Sequence, residues 1–523
     1  RASFPPRIRL TEGRVVREDH LFIDGTFGPS ASGETRTLLD PADGRPITEV
    51  AAPSLKDARR AIDAARRAFD GGSWSARAPE DRRDVLLAAC DRLWERQGEI
   101  AELEARNAGL TIRLATVMIA AGIQQARELV RLSARIPPIE SLPHNEFPQP
   151  SQNLLVREPY GVVGAIVPFN APFVLSVWKV FPALAMGNTV VLKPSPQTPC
   201  SATEIARALA DAGLPPGAFN VVNGGGKDVG EELVVNPLVD RIAFTGSTQA
   251  GRRIMELAAG TITRVTLELG GKSANILLDD ADLDIAIPGA LWSVYLHQGQ
   301  TCQAGTRLFV PQKLHDEVVD RIVTAASQLR VGPTMSWETD LGPLISKSQL
   351  ERVERYVAIG RKEGASLACG GHRIADEGLR NGFYYAPTVF TGVRNEMRIA
   401  QEEIFGPVLG VIPYASVDEA VTAANASIYG LAAGVWSTDV PRALGVARRL
   451  QAGTIWLNDY HTLTTLAPYG GYRQSGIGKE LGVAGCLEYV QSKHVWIDQA
   501  RALPQKVWAP VLGLDRVFGV TYE

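Results

Sequence analysis

The run Gly299-Gln300-Thr301-Cys302-Gln303-Ala304-Gly305 sets a cysteine between two glycines, each three residues away. Glycine lets a backbone approach a ligand closely, and the polar neighbours suit an accessible loop. A free cysteine usually fills apolar interior space, and that reading is kept for Cys90, Cys200, Cys369 and Cys486. Cys302 alone is read as a nucleophile candidate, with a structural thiol as the alternative. Glu268 lies in Leu267-Glu268-Leu269-Gly270-Gly271-Lys272-Ser273, at the end of an apolar stretch. Burial there raises a carboxyl pKa toward the range of a general base, whereas a strand-end Glu turned to solvent has no such role. Asn170, in Pro168-Phe169-Asn170-Ala171-Pro172-Phe173, offers amide hydrogens to an oxyanion or is an ordinary turn residue.

A second group suits a cofactor. Phe244-Thr245-Gly246-Ser247-Thr248 closes a strand, and Gly251 is expected to open a helix. Such a unit suits a pyrophosphate at a helix N-terminus, although it is not the usual GxGxxG and is weak alone. The segment Lys193-Pro194-Ser195-Pro196 ends the second strand of the region. Lys193 can bond ribose hydroxyls there, but the acid that dinucleotide folds often carry is missing. Gln401-Glu402-Glu403-Ile404-Phe405-Gly406-Pro407 puts a carboxylate and an aromatic ring beside a turn.

These segments need a scaffold that gathers them. Apolar β-type runs over 162–167, 189–192, 219–222, 241–244 and 265–269 alternate with helical stretches over 173–186, 201–212, 230–235 and 251–259. The alternation predicts parallel β-α-β units in a doubly wound sheet, which binds ligands at the carboxyl ends of its strands. Amphipathic helices are expected ahead of it over 54–72, 79–97 and 111–135, and a strand over 153–157. A further α/β region covers about 273–470, with strands near 276–278, 307–310, 408–413, 432–436 and 454–457. Residues 487–497 alternate like a strand. Residues 1–20 read as a loosely held polar arm.

The 523 residues suggest roughly two to four domains. Hydrophobic residues at 45% and charged residues at 21% exclude a disordered chain, a collagen and a small disulfide scaffold. A net charge of −3 gives no pull toward nucleic acid or anionic membranes. The five cysteines are scattered, with no Cys-x-x-Cys and no His at ligand spacing, so no metal site is expected. Their pattern suits a reducing compartment, and a cytoplasmic location is expected. The most apolar stretch, 162–192, is broken by Pro168, Asn170, Pro172, Lys179 and Pro182, so no membrane span is read. The chain opens at Arg1 rather than Met, which leaves open a segment ahead of it.

Taken in order, the segments PFNAPF (168–173), GNTVVLKPS (187–195), FTGST (244–248), LELGGKS (267–273), GQTCQAG (299–305), EEIFGPV (402–408) and GGYRQSGIGKELG (470–482) give a specific pattern. Over about 20–500 the chain closely resembles the aldehyde dehydrogenase superfamily. The resemblance implies an α/β fold with a Rossmann-like cofactor domain, an α/β catalytic domain and a β oligomerisation arm. It places the cofactor domain at 20–136 and 159–272, the catalytic domain at 273–483 and the arm at 137–158 with 484–500. A C-terminal extension, 501–523, follows.

By that resemblance Cys302 is the nucleophile, Asn170 and the Cys302 N–H hold the oxyanion, and Glu268 activates water to hydrolyse a thioester. Lys179 and Glu480 match residues that relay protons or support Glu268. Lys193, Ser195, Gly246, Ser247, Gly270, Glu403 and Phe405 match cofactor-binding positions. The implied cofactor is NAD, with NADP as the second candidate because Pro196 stands where many NAD-selective members carry Glu. Phe169, Phe173, Trp178 and Tyr469 match the substrate tunnel, and aromatic walls favour apolar or aromatic aldehydes. A semialdehyde dehydrogenase and an acylating enzyme that uses coenzyme A are the alternatives. The implied partners are an aldehyde and further copies of the chain, in a homodimer or homotetramer. The apolar residues of the extension suggest packing on a neighbouring subunit.

Overall fold

The computed structural model describes residues 21–520. The polar arm expected over 1–20 lies outside the described residues.

Five parallel strands form the middle of an eight-stranded sheet, in the order Arg264–Glu268, Arg241–Thr245, Val162–Ile166, Thr189–Lys193 and Phe219–Val221. Val162–Ile166, Thr189–Lys193 and Arg241–Thr245 are buried at every position. Burial on both faces explains why they read as continuous apolar runs rather than alternating ones. Order reverses at Val162–Ile166: later strands add first on one side and then on the other. A crevice opens at such a switch point, outside the carboxyl ends of the strands. Pro168–Asn170, Thr245–Ser247 and Glu268 all lie at those ends. Gly476–Ile477 pairs antiparallel with Leu267 and Glu268, bringing a distant segment to the same edge.

Helix Pro172–Ala185 follows the first strand and is buried at all its positions. Pro172 stands at its first turn, where the missing N–H costs nothing. The next strand–helix unit differs from expectation. The helix is Thr248–Ala258 and starts ahead of Gly251, because the Ser247 side chain caps it by accepting the Ala250 N–H at 3.2 Å.

A second, seven-stranded sheet runs Ser366–Cys369, Thr388–Thr391, Val408–Tyr414, Arg307–Pro311, Ala274–Leu277, Ala432–Trp436 and Thr454–Leu457. All its neighbours are parallel except the first pair. A third sheet pairs Val490–Asp498 with Ser151–Pro159, and that strand with Ile139–Ser141. Residues 487–497 therefore divide: Gly482–Leu487 is helical, and the strand begins at Val490.

The described part of the extension carries three short helical turns, Leu503–Gln505, Trp508–Val511 and Leu514–Val517. It folds back on its own chain through the Val507 N–H to Gln149 (3.1 Å) and a Lys506–Asp498 ion pair. Ala509 is buried, while Val511, Leu512, Val517 and Phe518 stay exposed. Among the described residues no helix is long and apolar enough to cross a membrane.

Candidate active site

Asn170 follows the first central strand and is buried. Its Nδ2 donates to the Gln300 carbonyl at 2.9 Å. An amide carries two hydrogens, so one more is available to a neighbour. The same bond ties the cofactor-type sheet to the loop that holds Cys302. That loop is delivered by three successive left-handed residues, His297 (φ 49°), Gln298 (φ 55°) and Gly299 (φ 73°). Such backbone is costly for the two non-glycine residues and collects at functional sites. A Cβ at Gly299 would stand 2.2 Å from the Gly406 carbonyl oxygen, and one at Gly271 would stand 2.4 Å from that of Cys302. Glycine is required at both points for the backbones to meet.

Cys302 is half-buried and lines a cavity of about 200 Å³ with Asn170, whereas Cys90, Cys200 and Cys486 are buried. Burial pushes its thiol up to about 12, and the charges of Glu403 and Glu268 act in the same direction. The resting thiol is therefore protonated at neutral pH.

Glu268 ends its strand opposite Thr245 and Gly476. It is 3% exposed, and neither carboxylate oxygen has a hydrogen-bond partner among the described residues. Burial and then the charge of Glu480 raise its pKa well above the usual carboxylate range, while Lys179 opposes them. A Cβ at Gly470 would lie 2.4 Å from Glu268 Oε1, so glycine is what lets that segment close over the carboxylate. Lys179 and Glu480 form a buried ion pair, and Lys179 Nζ also donates to Thr245 Oγ1 at 2.6 Å. Glu480 is fixed by a backbone bridge to Tyr469, with N–H···O distances of 2.6 and 2.7 Å.

The cofactor candidates divide between two places. Gly246, Ser247, Gly270, Glu403 and Phe405 line the Cys302 cavity. A Cβ at Gly246 would meet the Phe244 ring at 2.4 Å, and one at Gly270 would meet Glu403 Oε2 at 2.6 Å. Glu403 Oε1 accepts the Gly271 N–H at 3.1 Å, and burial raises its pKa to about 7. Lys193 and Ser195 lie outside this cavity. Lys193 Nζ donates to the carbonyls of Pro194 (3.1 Å) and Gly224 (3.0 Å), and burial lowers its pKa to about 8. Glycine-lined cradle, capped helix N-terminus, buried carboxylate and buried lysine together fit an extended dinucleotide.

Gln349 and Arg352, both missing from the sequence reading, line the same cavity. Gln349 Nε2 donates to the Phe405 carbonyl at 2.7 Å and Arg352 Nε to that of Ile404 at 3.1 Å. They hold Phe405 in a left-handed conformation (φ 62°). No local motif marks them, because they sit on the polar helix Lys347–Lys362 and reach the site only through the fold.

The four aromatic candidates do not form one wall. Trp178 and Tyr469 meet at 5.6 Å between ring centroids, and the Tyr469 hydroxyl is 3.9 Å from Cys302 Sγ. Phe169 turns the other way, edge-on to Phe405 at 5.7 Å, and stands among the cofactor candidates. Phe173 is fully buried, its ring beside Gly122, and like Trp178 and Tyr469 it does not line the cavity; Leu175 does. On a helix buried on all sides, apolar spacing does not say which residue faces the crevice. Among the described residues no group of three or more His, Cys, Asp or Glu could hold a metal ion.

Comparison with known proteins gives a consistent result. The family model described as the aldehyde dehydrogenase family matches residues 27–495. The chain is 42% identical over 477 residues to the betaine aldehyde dehydrogenase of Bacillus subtilis (strain 168), covering 91% of this chain and 96% of that protein. It is 44% identical over 479 residues to that organism's putative aldehyde dehydrogenase DhaS, covering 91% and 95%. Among solved structures, a Staphylococcus aureus betaine aldehyde dehydrogenase bound to NAD+ superposes with a TM-score of 0.90 at 37% identity, over 93% of this chain and 95% of that one. A Bacillus cereus aldehyde dehydrogenase in complex with NAD+ gives 0.89 at 41% identity, over 92% and 97%.

Proposed function

The chain belongs to the aldehyde dehydrogenase family and oxidises an aldehyde to its carboxylic acid with NAD; on that premise we propose that Cys302, Asn170 and Glu268 carry the reaction. The observation that supports this most is that one cavity holds the Cys302 thiol and the Asn170 amide, while the buried Glu268 carboxyl is close enough for its charge to act on Cys302.

The Cys302 thiol gives its proton to water and, as the thiolate, attacks the aldehyde carbon to form a thiohemiacetal. The free Asn170 N–H and the Cys302 backbone N–H hold the oxyanion. NAD, when bound, supplies the nicotinamide that accepts a hydride. Lys193 and Ser195 would hold its adenosine end, Gly246 and Ser247 the pyrophosphate, and Gly270, Glu403 and Phe405 the nicotinamide end. Loss of hydride leaves a thioester on Cys302. Glu268, as carboxylate, takes a proton from water, and the water attacks the thioester and releases the acid. The Lys179–Glu480 pair sets the charge that Glu268 feels and so tunes its readiness as a base.

Tyr469 beside the thiol, with Trp178 packed on its ring, supports an apolar or aromatic aldehyde. The same rings would also attract a quaternary ammonium group, and two relatives carry betaine aldehyde in their names. A semialdehyde substrate lacks a comparable feature, and Glu268 argues against transfer to coenzyme A, which needs no hydrolytic base. We further read 20–136 with 159–272 as the cofactor domain, 273–483 as the catalytic domain, and the three-stranded sheet as the arm of a homodimer or homotetramer. Five free cysteines support a cytoplasmic location. A panel of aliphatic, aromatic, betaine and semialdehyde substrates, run with NAD and with NADP, and with and without coenzyme A, tests the reading. Turnover of apolar aldehydes to acid supports it; acyl-coenzyme A as sole product overturns the hydrolytic role of Glu268.

A further inference from the structure

A chain of hydrogen bonds leads away from Cys302 that the steps above leave unused. Its far end is the Ser293 carbonyl oxygen, which His461 Nε2 meets at 3.0 Å. A carbonyl only accepts, so Nε2 carries the ring proton. The ring packs edge-on against Trp292 and Tyr460, and desolvation lowers its pKa to about 4, so it is neutral and Nδ1 is a lone pair. The 2.8 Å contact at Nδ1 must then be the Gln303 amide N–H donating. Gln303 consequently turns Oε1 to Tyr469, whose hydroxyl donates at 2.7 Å. Tyr469 has given away its one hydroxyl proton. Only lone pairs remain to face Cys302 Sγ, 3.9 Å away.

Of the other groups around Cys302, the Gln303 backbone N–H alone favours the thiolate, and burial and the nearby carboxylates outweigh it. The negative charges of Glu403 and Glu268 oppose a thiolate, and the Asn170 amide is neutral. Arg352 lines the cavity, but its guanidinium donates to the Glu403 and Ile404 carbonyls. If the Tyr469 hydroxyl pointed at the sulfur it would favour the thiolate; oriented toward Gln303, it can only accept from the thiol.

We propose that Gln303 and His461 are positioning residues that turn the Tyr469 hydroxyl into an acceptor for Cys302, so that the nucleophile waits between turnovers as a thiol. This rests on Cys302 being the nucleophile, which turnover of Cys302→Ser tests; the measurement below needs no turnover, so the two can fail separately.

The test is the pH dependence of Cys302 alkylation by iodoacetamide in the whole enzyme without aldehyde, read by peptide mass at Cys302. Gln303→Met frees the hydroxyl to swing and donate to the thiolate. The alkylation midpoint should fall by about one pH unit, and alkylation at pH 7 should become about tenfold faster. His461→Phe keeps an aromatic ring, frees the Gln303 amide and should act in the same direction, which covers a Gln303 variant that fails to fold. Adding Tyr469→Phe to either should abolish the gain. A higher midpoint in Tyr469→Phe alone would mean that the hydroxyl donates to sulfur in the native enzyme and would overturn the proposal. So would an unchanged midpoint in both Gln303→Met and His461→Phe.

Discussion

Glu268→Gln separates the two halves of the proposed reaction. The side chains are nearly isosteric, and neither Glu268 oxygen has a hydrogen-bond partner to lose. The change therefore removes the base with little structural damage. Loss of a general base costs about 10²–10⁴ in rate, or about 3–5 kcal/mol in the barrier. That loss should fall on thioester hydrolysis. Rapid mixing with NAD and aldehyde should give a burst of about one reduced cofactor per active site, followed by a steady state slower by that factor. In the native enzyme the hydrolytic rate should rise with pH through a limb above the ordinary carboxylate range, because burial raises the Glu268 pKa, and the limb should vanish in the variant. Stability carries the opposite sign. A carboxyl whose folded pKa is raised loses stability as pH rises through that value. The glutamine variant should thus gain thermal stability over native at high pH and little at pH 5. A burst reduced in step with the steady state would place Glu268 before hydride loss, and an unchanged steady state would require another base.

Three further outcomes follow from the same geometry. Asn170→Ala should lower kcat by about 10²–10³, with the fold intact by circular dichroism, because one oxyanion donor is lost. Pro196→Glu should raise the NAD-over-NADP ratio of kcat/KM, by supplying an acid that repels a 2′-phosphate; an unchanged ratio would count against that account of the adenosine end. Deletion of 501–523 should alter oligomer mass or thermal stability, since Val511, Leu512, Val517 and Phe518 leave apolar surface in water; no change in mass, stability or substrate range would reject a packing role.

The central strands were legible because burial on both faces leaves apolar runs without polar alternation, and the motif residues sit at their carboxyl ends. The short strands Leu21–Ile23 and Thr26–Gly28 left no comparable trace, since three residues carry too little pattern. The start of helix Thr248–Ala258 was misplaced because Gly251 looked like a boundary, whereas the Ser247 cap sets it. The sequence shows the glycines but not what they approach: at Gly270 and Gly271 it is Glu403 and the Cys302 carbonyl, both distant in the chain. Gln349, Arg352, Leu175 and His461 were silent for the same reason. Phe173 lies off the cavity, and its helix is apolar on every side, so composition carries no direction.

The most direct test of the central claim is to trap the intermediate. Glu268→Gln, mixed with NAD and an apolar aldehyde and quenched in acid, should gain the mass of one acyl group per chain, and peptide mapping should place it on Cys302. An acyl group on Cys369 or elsewhere, or a burst of reduced cofactor with no covalent adduct, would contradict a reaction carried by the Cys302 thiol.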